Sequence, residues 1–364
     1  MMGIIQYLKD YYYQLPLLVQ VVWLLIFFFI LYILILISYI GFIRGALRSK
    51  NKERIVYKRF FEDLLFKYIV ASSAEERDII LVKFNRQISK KFRRKVLVSS
   101  LFGVMMQVSG EKEESVKKIY SESGLEQLAI KDLKIANKWN VIAGALVELM
   151  RFKIDSDEAK NYAKRYINHE REEVRRKAHL YLISLFGFKG LFFLDELTEG
   201  LSEWIQIQLL ENLRKFDDRE MEGLHSWLQS KNDTVVLFAL KLARIYKRSE
   251  VKDDLFELLS HENVNIRTYT IIVLVSLLGS EAKERIRPKF NALALEEKIC
   301  FLELLEKEAT PEDILLAKEN LQNENLELSF LAQKIIAINN SLTMESLNDL
   351  QSRQLSSVAL KSKK

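Results

Sequence analysis

Four histidines and one cysteine are the side chains of this chain best suited to metal or nucleophilic chemistry, and their spacing serves neither. His169, His179, His225 and His261 form no His-x-x-x-His or His-Glu-x-x-His pattern, and Cys300 alone cannot build a zinc cluster. No Gly-x-x-x-x-Gly-Lys-Ser/Thr loop or Gly-x-Gly-x-x-Gly turn is present to hold phosphates. The acidic pairs Asp217-Asp218 and Asp253-Asp254 fall at predicted helix starts, where a carboxylate complements the helix dipole. Cys300 sits in the apolar run 298–302 and reads as core packing rather than a reactive thiol. The expectation is a chain with no catalytic residue, no metal and no cofactor.

What remains is basic chemistry, and its location matters more than its total. The formal net charge is +6 and the pI about 9.0. Arg44, Arg48, Lys50, Lys52, Arg54, Lys58 and Arg59 crowd one segment against Glu53 alone, and Lys83, Arg86, Lys90, Lys91, Arg93, Arg94 and Lys95 crowd a second. Lys361, Lys363 and Lys364 close the chain, whereas residues 96–360 hold more acidic than basic groups. A nucleic-acid reader needs positive charge along its binding face, so nucleic acid is not an expected partner.

Immediately before the first basic segment, Leu15 to Ile40 contains no charged residue. A helix rises about 1.5 Å per residue and a bilayer core is about 30 Å thick, so this run can span one, at about 15–40. It is too long, and its leader too little basic, for a secretory signal. Lys9 and Asp10 cancel upstream while the downstream flank is strongly basic, which predicts the N-terminus outside and residues 41–364 in the cytoplasm, at the inner membrane. Tyr11, Tyr12, Tyr13 and Tyr39 suit the interfaces. The cluster from Arg44 to Arg59 then faces anionic headgroups, at about 1 kcal/mol per charge. Lys83, Arg86, Lys90 and Arg94 form a candidate second lipid-facing stripe, on an amphipathic helix whose apolar side is Phe84, Ile88, Phe92 and Val96; a merely solvated face is the alternative. One cysteine matches a reducing compartment.

Three prolines and twelve glycines in 364 residues leave few helix breakers, so the fold class is all-α. Apolar anchors recur at about 31 residues. One ladder is Leu197, Leu228, Leu259, Phe290 and Leu321; another is Val174, Trp204, Val235, Ile266 and Leu328, interrupted by Glu297; a third is Ala178, Gln208, Ala239, Thr270, Phe301 and Ala332. Polar turns lie between the first two, so each unit holds two helices that must stack on neighbours to bury both faces. Thr310, Pro311 and Asp313 read as a capped helix start, Ser73 to Glu76 as a capping box, and Pro288 as a kink or break. Trp139, Trp204 and Trp227 read as core. The predicted organisation is a flank and transmembrane helix at 1–40, a basic juxtamembrane helix at 41–72, helical units at 73–155, repeats at 156–340, and at 341–364 a capping helix through Leu347 and Leu350 with a basic tail.

The segment 172–182, Glu-Glu-Val-Arg-Arg-Lys-Ala-His-Leu-Tyr-Leu, is similar to the Val-Arg-x-x-Ala-x-x-x-Leu second helix of short bacterial HEAT repeats, with a weaker copy at Asn265, Ile266, Arg267, Thr270 and Leu274. Elsewhere the Arg position holds Ile205, Val236, Lys298 or Ser329. The resemblance, over 156–340, implies a right-handed α-solenoid that works as a scaffold, gripping a membrane-associated protein in a groove lined by second helices. On that reading Arg175, Arg176, Arg267 and Lys298 meet acidic partner side chains; the alternative is that they bond turn carbonyls or neighbouring carboxylates. Anchored HEAT proteins resemble accessory subunits of bacterial envelope systems, including polysaccharide synthesis and export. HEAT-type enzymes such as bilin lyases are the other class with this architecture. Alkylpurine DNA glycosylases fit poorly with acidic repeats held at a membrane.

Overall fold

The computed structural model describes residues 16–71, 73–217, 221–306 and 309–339, which fold into helices joined by turns, with no strand among them. The tyrosines at 11–13, Asp218, the capping helix expected after Ser341 and the terminal lysines lie outside the described residues. The chain divides into two compact units, residues 1–128 and 129–364.

The first unit is organised by one helix, α1 (Leu17–Val70), of 54 residues. Pro16 precedes it, where a missing N–H costs nothing. No break separates its apolar half from its basic half, so the expected transmembrane and juxtamembrane helices are one continuous rod. Its apolar half is long enough to cross a membrane by length and composition, and none of that window is buried. Burial begins at Phe61, then Leu64, Leu65 and Tyr68, a three-to-four spacing that turns one face toward α2 (Ala74–Ile88) and α3 (Lys91–Met105). The Phe61 and Phe84 rings stack at 6.2 Å, and Arg93 lies over Tyr57 at 4.4 Å. Ser73 caps α2 by accepting from the N–H of Glu76, the expected N-terminus.

The amphipathic helix expected over 83–95 is instead the end of α2, a turn at Ser89 and Lys90, and the start of α3. The four-residue spacing of Phe84, Ile88, Phe92 and Val96 hid the turn, because each helix carries its own apolar face onto α1. A fourth helix, α4 (Glu111–Glu122), closes the bundle, with Tyr68 donating from its hydroxyl to Glu122 at 3.0 Å.

The second unit starts within α5 (Leu125–Ile135) and continues through α6 (Trp139–Arg151), α7 (Asp157–Arg165) and α8 (Glu172–Phe186). Next come α9 (Glu203–Leu213), α10 (Leu224–Leu228), α11 (Asp233–Ile245), α12 (Lys252–Leu258) and α13 (Val264–Leu278). The series ends with α14 (Ser280–Ile286), α15 (Leu295–Leu305), α16 (Pro311–Glu319) and α17 (326–339). Second helices pack on second helices: α6 on α8, α8 on α9, α11 on α13, and α13 on α15. Helical pairs stacked at about 31 residues are therefore the architecture of this unit. The apolar stretch Glu172–Glu196 is two-thirds buried, as a core element is.

Two first helices depart from α geometry. Gly187, at φ 55°, ends α8, and the tight 3-10 run Gly187–Glu196 folds back so closely that a Cβ on Gly190 would stand 2.6 Å from the Leu182 carbonyl oxygen. Pro288 breaks the other as expected: α14 stops at Ile286 and a 3-10 run carries Arg287–Ala292. Thr310 caps α16 from both directions, accepting from the Asp313 N–H while its own N–H donates to the Asp313 carboxylate.

Two ladder positions, Trp204 and Leu259, are displaced by one residue. In α9 the buried positions are Ile205, Gln206, Leu209 and Leu213, whereas Trp204 is 61% exposed. Where Val174, Val235, Ile266 and Leu328 are buried in their helices, Ile205 takes the corresponding place in α9. The buried series is thus Val174, Ile205, Val235, Ile266, Glu297 and Leu328. A similar slip buries Leu258 and leaves Leu259 half-covered. Of the three tryptophans read as core, Trp227 is buried; Trp139 and Trp204 are exposed.

Candidate functional site

Arg44, Arg48, Lys50, Lys52, Arg54, Lys58 and Arg59 all lie on the exposed stretch of α1 that separates the uncharged run from the first buried residue. That stretch measures about 25 Å at helical rise. Lys58 reaches Glu62 at 3.6 Å. The remaining cations of the cluster have no ion pair among the described residues.

The second basic group is placed by antiparallel packing. Since α2 runs back along α1, its turn into α3 points toward the apolar half, bringing Lys83, Arg86 and Lys90 exposed to the level of Tyr57, with Arg94 half-buried below. Tyr57 is about 20 Å beyond Ile43 along the helix axis. The two basic groups therefore meet at Arg54 to Arg59, not at Arg44 and Arg48.

In the second unit the four groove candidates do not converge on one open surface. Arg175 is 8% exposed and donates to the His169 carbonyl at 2.7 Å and the Glu170 carbonyl at 3.2 Å, with Glu199 at 3.7 Å. Arg267 repeats this three array positions later, in the weaker motif copy: it donates to the His261 and Glu262 carbonyls at 2.7 and 3.0 Å, and through Nε to Glu297 at 2.7 Å. Glu297, 2% exposed, also accepts from the Ala294 N–H at 2.7 Å. Arg176 bonds Glu173 on its own helix and Gln208 on the next. Lys298 is half-buried, its ammonium 5.9 Å from the Phe290 ring. The arginines are the clamps of the array.

Asparagines add a second set of clamps that periodicity alone did not reveal. Asn168 bridges forward to the Glu196 carbonyl and the Thr198 N–H, whereas Asn232 reaches back to the Glu199 carbonyl and Asn263 back to Asp233. Their signal in the sequence was Asn immediately before α11, α13 and α17 and four residues before α8.

The remaining reactive groups are held for packing. His179 is stacked on Phe193 at 4.2 Å and bonded at Nε2 to the Ile167 carbonyl; burial lowers its pKa to about 4, so it is neutral at pH 7. The Cys300 thiol is pushed up to about 11 by burial, which disfavours the thiolate. Burial and the Glu122 carboxylate raise Tyr68 to about 12. Asp253 and Asp254 lie in the first turn of α12 as expected, and Asp254 also meets His225 at 2.6 Å and Gln229 at 3.0 Å. Asp217 lies beyond the end of α9, and among the described residues the next helix begins at Leu224. Among the described residues no cluster of three or more His, Cys, Asp or Glu side chains could hold a metal ion.

No family model matches the chain, and no curated protein matches it. Solved structures with similarity to it include an engineered protein from a structural genomics consortium, 13% identical at TM-score 0.30, covering 76% of this chain and 88% of that one. Kap121p is 12% identical at TM-score 0.24, covering 81% of this chain and 48% of that one. Kap121p bound to Ste12p is 12% identical at TM-score 0.25, covering 76% and 28%. The chain thus spans about half the length of Kap121p or less.

Proposed function

We propose that this protein is a non-catalytic scaffold, held at the cytoplasmic face of the inner membrane by α1, that binds a membrane-associated protein through a HEAT-like array of stacked helix pairs. The observation that carries this reading is α1 itself. Its apolar half is fully exposed and free of charge, yet it continues without interruption into a half that is packed into a helical unit. An exposed apolar helix of that length needs a non-aqueous environment, and a continuous helix transmits the position of one end to the other. The basic residues that follow support an orientation with the packed half on the cytoplasmic side and the N-terminus outside. Arg44, Arg48, Lys50 and Lys52 are the lipid contacts on this reading. The stripe of Lys83, Arg86, Lys90 and Arg94, about 20 Å further along α1, lies beyond two Debye lengths of an upright anchor and touches headgroups only when α1 leans.

Binding rather than catalysis is supported by how the titratable groups are used, in capping, clamping and core packing. An accessory role in an envelope or polysaccharide synthesis or export system is the specialisation that the HEAT resemblance favours. Crosslinking the full chain in intact membranes, followed by recovery and mass spectrometry, tests the reading. One dominant membrane-protein partner supports it. A bound chromophore or turnover by the purified chain would replace it with the HEAT-type enzyme.

A further inference from the structure

The first unit contains a groove of about 770 Å³ between α1 and α3, opening on a side of α1 that its own helices leave uncovered. Its floor on α1 starts at Arg54 and Lys58 and continues as Leu65, Phe66, Ile69 and Val70, so it extends for about 24 Å along the helix. Phe66 and Val70 are 67% and 62% exposed, unusual for large apolar side chains so close to a core. The facing wall on α3 is low, because Ser99 and Gly103 stand one turn apart, and a Cβ placed on Gly103 would meet nothing within 4 Å. Small residues at that spacing let a second backbone approach closely.

A separate observation points to an occupant. Ser100 lines the same groove and is 3% exposed, and its hydroxyl is buried without a hydrogen-bond partner. Buried hydroxyls are normally bonded, so this one awaits an acceptor or donor. Charge then selects among occupants. The rim is basic at both ends, with Arg54 and Lys112 free of ion pairs among the described residues and Lys58 only loosely matched to Glu62 at 3.6 Å. A second copy is opposed by this charge, since the α1 segment it would offer is itself basic from Arg44 to Arg59. Lipid tails are opposed by distance: on the membrane reading above, Arg54 is about 16 Å past the end of the uncharged run at Ile43.

We propose that this groove docks one amphipathic α-helix of a partner polypeptide, about 16 residues long, lying along α1 with its apolar face on Phe66 and Val70 and carboxylates against Arg54 and Lys58. This surface is distinct from the stacked pairs, and its occupancy does not require that they bind anything.

The test uses the full chain in nanodiscs of zwitterionic lipid and two labelled amphipathic peptides of about 16 residues that share a Leu/Ala face and differ in bearing Glu or Lys on the flanks. Fluorescence anisotropy should show saturable binding of the Glu peptide, at least roughly ten-fold tighter than the Lys peptide. Gly103→Trp should weaken it by a similar factor, and Arg54→Glu with Lys58→Glu should reverse the peptide preference. The latter pair is on the exposed surface, so the charge arm survives even if the tryptophan disturbs folding. No saturable binding, equal affinity for both peptides, or charge reversal without effect would overturn the proposal. Displacement of the Glu peptide by monomeric short-chain phosphatidylglycerol would also overturn it and give the groove to lipid.

Discussion

Arginines in the two units carry the same charge and are put to opposite uses. On α1, Arg44, Arg48 and Arg54 extend from an exposed helix and have no ion pair among the described residues. In the stacked pairs, Arg175 and Arg267 spend their donors on the carbonyls of the turn that precedes their own helix and on a carboxylate of the next pair. A guanidinium has five donors in a fixed fork, which suits it to gathering the carbonyls that the end of one helix and the turn after it leave unpaired. Whether a basic residue is available to a ligand is thus decided by whether the fold has already used those donors. The α1 arginines have no ion pair among the described residues, whereas Arg175 and Arg267 are bonded within the array.

The sharpest way to break this contrast is Arg267→Leu, which strands the Glu297 carboxylate, 2% exposed, with only the Ala294 N–H as its partner. Removing one member of such a pair costs about 3 kcal/mol. Urea denaturation should show that loss, and Arg267→Leu combined with Glu297→Leu should recover much of it, because the stranded charge goes as well. A single mutant as stable as the parent would mean that Arg267 is spare charge after all.

Arg175→Ala comes next. It removes two hydrogen bonds to turn carbonyls but strands no buried carboxylate, since Glu199 is half-exposed. The expected cost is about 2 kcal/mol, read by the same denaturation curve. A cost equal to that of Arg267→Leu would show that the carbonyl clamp, not the buried acid, dominates in both.

His179 extends the contrast to a group the fold keeps uncharged. Its folded pKa of about 4 is below the unfolded value of 6.5, so the unfolded chain binds more protons as pH falls. The stability it contributes is full above about pH 6.5 and is lost as pH drops through 4. Between pH 7 and pH 5 that amounts to about 2 kcal/mol. His179→Gln should remove this part of the acid sensitivity, measured as the difference between denaturation midpoints at the two pH values. An unchanged difference would place the titrating group elsewhere.

These same residues show what could be read from the sequence and what could not. Capping is local, so Thr310 with Asp313, Ser73 with Glu76, and the break at Pro288 were legible from a few neighbouring residues. The two-helix period was legible because each pair must bury both faces on its neighbours. The slip in α9 was not: Trp204 and Ile205 are adjacent and both apolar, and only the direction in which α9 faces its neighbours chooses between them. Glu297 read as a gap in a ladder because its partner, Arg267, lies 30 residues away. The turn at Ser89 and Lys90 was concealed by apolar residues that keep a helical spacing on both sides of it. The open basic surface was legible as composition, while the groove beside it depends on how α3 lies against α1.

The smallest effect on stability, and the one that completes the contrast, belongs to the α1 cluster. Replacing Arg44, Arg48, Lys50 and Lys52 with acidic residues removes no intramolecular bond seen among the described residues, so denaturation of the helical units should change by less than about 0.5 kcal/mol. What should change is insertion. Positive charge beside the apolar run biases which end stays in the cytoplasm, and its reversal should expose the helical units to external protease in intact cells or spheroplasts. An unchanged protease pattern, with unchanged stability, would show that these side chains direct neither folding nor orientation, and that being unused by the fold is not enough to make a cation functional.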